Sequence, residues 1–155
     1  MKWTIRFYLC TLFGLSLMSC QDLILLAKIQ KDAVLEGVVT EQRGNAMPIK
    51  GKSSSNGLAI NTKIYIYKAL NLAQLENQNG NICAKINGDL IGTTTTDSLG
   101  HYYFHLPAGS YSLVVAYEKG FFIPYFSGND GVAIFKVAPQ KTTILNIMLN
   151  QKASY

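Results

Sequence analysis

Short β-branched and aromatic runs, separated by turn residues, limit the fold of this chain more than any other feature of its sequence. The runs cover residues 34–40, 62–68, 82–86, 90–96, 101–106, 111–117, 132–137 and 142–149. The segment with the most helix-forming residues, 69–76, is long enough for a short helical turn and no more. About seven short strands without a long helix predict an all-β, seven-stranded sandwich of two sheets.

Alternation within one run predicts where its strand lies. In residues 62–68, Ile64 and Ile66 face one side, and Tyr65 and Tyr67 face the other. Bulky side chains on both faces are typical of a strand that is covered on both sides. We therefore expect this strand at the centre of a sheet.

Turn signals predict the connections between the runs. The sequence Asn-Gly-Asp at residues 87–89 predicts a hairpin between residues 82–86 and 90–96. The sequence Gln-Arg-Gly-Asn at residues 42–45 predicts a turn after the first strand. Gly37, inside that strand, indicates a bulge or a close approach of backbone.

The first residues have the composition of an export signal. Lys2 and Arg6 supply positive charge, residues 7–17 are apolar, and Ser19 is a small residue before the break. Residues 1–19 are therefore predicted to be a signal peptide that is removed and takes no part in the fold.

Residues 17–20, Leu-Met-Ser-Cys, resemble the bacterial lipobox, in which a diacylglycerol is attached to the cysteine thiol before cleavage. The resemblance implies lipid on Cys20, and two acyl chains hold a protein stably at a membrane. Residues 20–32 are then a tether, whose apolar segment 23–27 either packs on the domain or lies at the lipid surface. An uncleaved transmembrane anchor is disfavoured, because a span needs about 20 apolar residues and the two polar residues after Cys20 interrupt the run.

The rest of the chain is predicted to form one domain, residues 33–150, with a mobile loop at residues 49–60 that is rich in Ser, Gly, Lys and Asn. Without the signal segment, 12 basic residues stand against 9 acidic ones. This small excess argues against a nucleic-acid partner.

Cys83 is the one thiol left without lipid once the signal segment is removed, and a buried strand position is favoured over an exposed reactive thiol.

Residues 96–113, Thr-Asp-Ser-Leu-Gly-His-Tyr-Tyr-Phe-His-Leu-Pro-Ala-Gly-Ser-Tyr-Ser-Leu, resemble the carboxypeptidase regulatory-like domain, which shows Thr-Asp, Gly, aromatic, Leu-Pro, Gly and Tyr at this spacing. Residues 36–40, followed by Met47 and Pro48, are similar to the first strand and turn of that family. The resemblance implies a transthyretin-like (prealbumin-like, Ig-like) β-sandwich. It implies no catalysis, because in carboxypeptidases this module accompanies a separate catalytic domain, and similar modules occur alone or fused in many exported bacterial proteins.

The resembling run also has a physical interpretation of its own. Asp97 and Gly100 bracket a turn in which the carboxylate accepts backbone N–H groups and glycine supplies a positive φ. Alternation then predicts one core face, formed by Tyr102, Phe104, Leu106, Tyr111, Leu113 and Val115. We expect these residues to pair across two neighbouring strands.

No catalytic, metal or cofactor site is predicted. His101 and His105 fall on the outward face of one strand, about 13 Å apart, which is too far for both rings to ligate one metal ion. No Gly-x-Ser-x-Gly nucleophile motif is present. The protein is therefore not expected to be an enzyme.

An aromatic segment supplies the candidate contact residues Phe121, Phe122, Tyr125 and Phe126. Such a loop either caps the core or contacts a partner. The leading hypothesis is a non-catalytic interaction or structural module at the bacterial cell envelope, and the alternative is a carbohydrate-binding accessory lipoprotein that uses residues 121–126. The outer membrane is favoured because Gln21, not Asp, follows Cys20. The partner, an envelope protein or a glycan, and the membrane face, periplasmic or surface, stay open.

Cys20→Ser tests the lipid anchor. Without the thiol, no thioether to lipid forms, so the variant is expected as a soluble protein or an unprocessed precursor. Membrane fractionation and the mass of the mature N-terminus measure this. Membrane retention of a Cys20→Ser protein processed at the same site would contradict lipid anchoring.

Overall fold

The computed structural model describes residues 33–45 and 57–154. The predicted signal peptide (1–19), the predicted tether (20–32) and residues 49–56 of the predicted mobile loop lie outside the described residues. The strands are β1 (Ala33–Asn45), β2 (Leu58–Ala59), β3 (Lys63–Lys68), β4 (Leu70–Asn71), β5 (Leu75–Glu76), β6 (Ile82–Cys83), β7 (Lys85–Ile86), β8 (Leu90–Thr95), β9 (His101–Leu106), β10 (Gly109–Tyr117), β11 (Gly120–Phe122), β12 (Phe126–Ser127), β13 (Gly131–Val132), β14 (Ile134–Val137), β15 (Thr142–Ile144) and β16 (Ile147–Ser154). In this part of the chain, helix is confined to the 3-10 turn Leu72–Gln74, inside the segment for which a short helical turn is predicted.

Sheet 1 is organised around β1. The first half of β1 pairs antiparallel with β9 and parallel with β15. Its second half pairs parallel with β16 and antiparallel with β2. Because side chains alternate along a strand, β1 buries Leu35 and Val39 while Glu36 is exposed on the other face.

Sheet 2 is antiparallel and has the strand order β6-β11-β10-β3-β8, with β14 paired to one end of β10. The strand β3 lies between β10 and β8. Its residues Ile64 and Ile66 are buried in one cluster, and Tyr67 is buried in another on the opposite face. The predicted central strand with two covered faces is confirmed.

One hydrophobic cluster, the main core, joins the two sheets in the manner of a β-sandwich. Its buried residues are Ala33, Leu35, Val39, Ile64, Ile66, Tyr102, Leu106, Tyr111, Leu113, Val115, Phe122, Phe135, Val137, Ile147 and Leu149, with Phe104 packed against them. The predicted core face is confirmed. An all-β protein with packed sheets is therefore what the structure shows.

The predicted pairing of the two core strands is wrong. The strand β9 pairs with β1 in sheet 1, whereas β10 pairs with β3, β11 and β14 in sheet 2. The chain crosses from one sheet to the other at Pro107 and Ala108, so Tyr102 and Leu113 share the main core from opposite sheets. Alternation determines which side chains point inward, but it does not distinguish a neighbour in the same sheet from one across the core.

The predicted hairpin around residues 87–89 is also wrong. The strand β6 pairs with β11, β7 pairs with β5, and β8 pairs with β3. The chain does turn here, and Lys68 N donates to Asp89 O at 2.9 Å, which aligns β8 along β3. Cys83 of β6 is buried at 0% exposure in a hydrophobic cluster, next to the pairing of β6 with β11. Tertiary packing therefore overrides the local turn signal.

The second half of β1 differs from the sequence-based expectation. Residues 42–45 are not a turn: they continue β1, and residues 43–45 pair with β16 after a register shift between Glu41 and Arg43. Leu58 and Ala59, at the end of the predicted mobile loop, form β2 against β1. In both places a neighbouring strand supplies ladder hydrogen bonds that composition does not reveal.

The close backbone approach predicted at Gly37 is confirmed. A Cβ atom at this position would clash with the carbonyl oxygen of Leu145. The Tyr102 hydroxyl donates to the same carbonyl oxygen at 2.6 Å, and burial raises the pKa of that hydroxyl. The break between β15 and β16 is thus held directly against β1.

Leu113→Ala is expected to lower the free energy of unfolding by about 2 to 5 kcal/mol, because it opens a cavity between the sheets. Leu99→Ala, at a side chain that is 66% exposed in the turn before β9, is the matched control and should change it by less than about 0.5 kcal/mol. Denaturant titration of both variants measures the difference. Equal midpoints would show that Leu113 is not a core residue.

Candidate functional site

The aromatic segment 121–126 is built into the fold. Phe122 is 1% exposed in the main core, which leaves no surface of its ring for a partner. Phe121 packs edge-on against Tyr65, with ring centroids 5.1 Å apart. Tyr125 is half-buried, and its hydroxyl donates to Ile134 O at 3.1 Å. Of the four candidates only Phe126 is exposed, so the segment presents no pair of exposed rings.

The outer faces of the two sheets are covered differently. On sheet 2, a second hydrophobic cluster covers β10 and β3, and its buried residues are Tyr67, Leu70, Cys83, Val114, Ile123, Val132 and Ala133. Cys83 is thus a buried strand residue as predicted, and burial raises the pKa of its thiol. On sheet 1, Tyr103 and Ile144 are each 68% exposed on the outer face.

A groove of about 510 Å³ lies on this outer face of sheet 1. We call it the sheet-1 groove, and its lining includes Glu36, Val38, Asp97, His101, Tyr103, Ile144 and Asn146. The strand register explains the arrangement, because Glu36 of β1 is opposite Tyr103 of β9 on one side and Ile144 of β15 on the other. Directly opposed residues have Cβ atoms about 5 Å apart, so the carboxylate stands between the aromatic and the aliphatic side chain.

The turn at residues 97–100 forms one wall of the sheet-1 groove. Asp97 Oδ1 accepts the backbone N–H groups of Leu99 and His101, both at 2.8 Å. Gly100 has a φ of +78°, as predicted for this turn. Residues 96–113 therefore form the wall of the groove as well as the core face behind it.

Asn146 forms the opposite wall. Its side-chain oxygen accepts the Val38 N–H at 3.0 Å, at the break between β15 and β16. This bond occupies the acceptor atom of the amide and leaves its NH₂ group, a donor, on the exposed side. Both walls are thus held by hydrogen bonds to backbone.

A second groove of about 340 Å³ extends the first along β1. The two share Val38 and Asn146, and the extension is lined further by Thr40 and Met148. Met148 is 48% exposed. From Glu36 to Thr40, β1 rises by roughly 13 Å, which makes the combined surface elongated.

The sequence contains one signal for the sheet-1 groove, at Tyr103. Once His101 and His105 are placed on an outward face, the residue between them, Tyr103, must share that face. A large aromatic ring at an outward strand position is the signal that indicates a contact surface. Glu36 and Ile144 gave no such signal, because only the pairing of β1 with β9 and β15 brings them to Tyr103.

Within the described residues, no group of three or more His, Cys, Asp or Glu side chains is arranged to hold a metal ion. His101 and His105 are both exposed on the outer face of sheet 1. No helix in the described ranges is long and apolar enough to cross a membrane.

Comparison with known proteins gives no further assignment: no protein-family model matches this chain, and no curated protein matches it. The sheet-1 groove is therefore judged on its own geometry.

Glu41 is the one charged side chain that is buried among the described residues, at 3% exposure. Lys152 Nζ lies 3.0 Å from Glu41 Oε1, and Arg43 Nε contacts Oε2. Burial alone raises the pKa of this carboxyl, but the hydrogen bonds and charges of Lys152 and Arg43 outweigh it, so the pKa is lowered. This cluster ties the second half of β1 to β16 and is structural.

Glu41→Gln is expected to lower the free energy of unfolding at pH 7 by about 2 kcal/mol, through loss of charged hydrogen bonds. A lowered folded-state pKa stabilises the fold above the unfolded value near 4.5, and this contribution disappears as pH falls through the folded value. Denaturant titrations from pH 7 to pH 3 should therefore show the two proteins converging. Glu36→Gln, at an exposed carboxylate on the same strand, is the control with little change, and a difference that is constant with pH would contradict the assignment.

Proposed function

We propose that the protein is a lipid-anchored, non-catalytic binding module of the bacterial cell envelope, with the sheet-1 groove as its contact surface. The lipobox-like residues 17–20 support attachment through Cys20, and Gln21 favours the outer membrane. The signal peptide at 1–19 and the tether at 20–32 belong to the same proposal. A domain held at a membrane in this way acts by contact with neighbouring molecules.

We further propose that the sandwich is of the transthyretin-like kind found in carboxypeptidase regulatory-like domains. Support comes from the roles of residues 96–113, which resemble that family: Asp97 and Gly100 build the turn, and Tyr102 and Tyr111 lie in the main core. Core residues lie on both sides of the turn at residues 107–108, so the spacing of this run serves folding. Such a scaffold determines architecture, whereas function depends on a site on its surface.

The observation that carries the proposal concerns the outer face of sheet 1: within residues 33–45 and 57–154, no hydrophobic cluster covers it. By contrast, a second hydrophobic cluster covers the outer face of sheet 2. On sheet 1, Tyr103 and Ile144 instead stand 68% exposed beside a groove. Large apolar side chains grouped on an open surface with polar residues around them are typical of binding sites.

The carbohydrate-binding alternative no longer depends on residues 121–126. Of those candidates, Phe122 is in the main core and the Tyr125 hydroxyl is bonded to backbone. Phe126, 40% exposed, is a single ring and does not line the sheet-1 groove or its extension. Any glycan contact is therefore better placed at Tyr103.

A photo-crosslinking amino acid at position 103 tests the contact surface in cells that make the full lipidated chain. Irradiation is expected to give adducts from position 103 and from position 144, because both side chains project from the groove. Position 91, an exposed residue of β8 at 44% exposure, is the matched control on sheet 2. Adducts from position 91 alone, or equal adducts from all positions, would contradict a contact surface on sheet 1.

A further inference from the structure

We infer that the sheet-1 groove binds a neutral glycan, with one sugar ring stacked on Tyr103 and hydroxyl groups bonded to Glu36, His101 and Asn146. This inference rests on the proposed function, because it names the class of ligand for the same surface. The candidate glycan site then lies on the outer face of sheet 1 and not at residues 121–126.

The aromatic ring of Tyr103 provides the stacking surface. Its side chain is 68% exposed on a strand whose neighbours are fixed by the ladder with β1. His105 packs against it with ring centroids 6.3 Å apart and planes at 81°, which orients the phenol ring from one side. An amphipathic ring held in this way presents apolar surface to the C–H face of a sugar while its edge stays in water.

The groups around Tyr103 include both donors and acceptors. The Glu36 carboxylate is an acceptor, the NH₂ group of Asn146 is a donor, and His101 has one nitrogen of each kind when neutral. Within the described residues, no ion pair engages Glu36. Sugar hydroxyl groups both donate and accept, so one ligand satisfies all three side chains.

Charge decides between glycan classes. Glu36 and Asp97 are acidic, and in the described part of the chain the lining of both grooves contains no lysine or arginine. An anionic glycan or a phosphate would meet like charge without a cationic partner, which is unfavourable at short range. The groove therefore favours an uncharged ligand.

A basic peptide is the other class of ligand that acidic residues attract. Asp97 already gives one carboxylate oxygen to two backbone N–H groups, so Glu36 is the carboxylate that faces the ligand freely. Lysine and arginine side chains offer donors only, so in a basic peptide the acceptor for the Asn146 NH₂ group would have to be a backbone carbonyl oxygen, whereas every sugar hydroxyl both donates and accepts. A polyhydroxyl ligand matches the mixed lining better.

The shape of the surface indicates more than one sugar unit. The groove continues along β1 past Val38 to Thr40 and Met148. Apolar Val38 and Met148 alternate here with the polar Thr40 and Asn146, so the extension repeats the combination of C–H surface and hydrogen-bonding groups. We therefore expect an oligosaccharide to bind more tightly than its single units.

Binding is measured with the full lipidated chain in a detergent without a sugar headgroup, by titration calorimetry or NMR. The probes are neutral oligosaccharides of hexose and N-acetylhexosamine units, an oligomer of uronic acid and a lysine-rich peptide. A neutral oligosaccharide is expected to bind, and Tyr103→Ala should lower its affinity about tenfold or more. Tyr103→Phe, which keeps the ring, should stay within about threefold, and Glu36→Gln should cost less than Tyr103→Ala.

Phe126→Ala removes an exposed ring outside the groove and is the control that should bind as the parent does. No binding of any neutral probe up to about 10 mM, or binding that Tyr103→Ala leaves intact, overturns the inference. Binding of the peptide alone, abolished by Glu36→Gln, overturns it in favour of a protein ligand. In either case, adducts from positions 103 and 144 in cells would leave the proposed contact surface standing.

Discussion

The pairing of β1 on both of its edges is the constraint on which the rest of the structure depends. Four strands bind to it, two in each half, and two of them run parallel to it. Parallel neighbours cannot come from a tight hairpin, so the last strands of the chain must return to the first. This return closes the sandwich: Leu35 and Val39 face Leu113 and Val115 across the main core.

The same strand builds the candidate site from its opposite face. Alternation that buries Leu35 necessarily turns Glu36 outward, and the ladder places it between Tyr103 and Ile144. The close approach of Leu145 to Gly37 and the hydrogen bond from the Val38 N–H to the side-chain oxygen of Asn146 hold the break between β15 and β16 against this point. The main core and the sheet-1 groove therefore lie on opposite faces of sheet 1. Packing in the core fixes the strands, and the strands position the side chains of the groove.

Local patterns predicted inward and outward faces well. The alternation of β3, the core face of β9 and β10, the turn at Asp97 and the burial of Cys83 are all as expected. Pairing was predicted poorly, because Asn-Gly at residues 87–88 marks a turn without choosing the strands that meet. The site residues show the same limit: Phe122 carries a strong hydrophobic signal because it is a core residue, whereas the exposed Tyr103 lies between two histidines and carries a weaker one.

The sequence by itself determined the strand-rich class of this protein, the side of each strand that is buried, and the resemblance of residues 17–20 to a lipobox. These properties are local, since they depend on a period of two residues or on a short motif. Only the tertiary structure decided which strands pair and which sheet face the described residues leave exposed. Those outcomes depend on contacts between residues as far apart as Val38 and Asn146. No local pattern encodes them, because the hydrophobic effect that drives the packing rewards burial without specifying the partner.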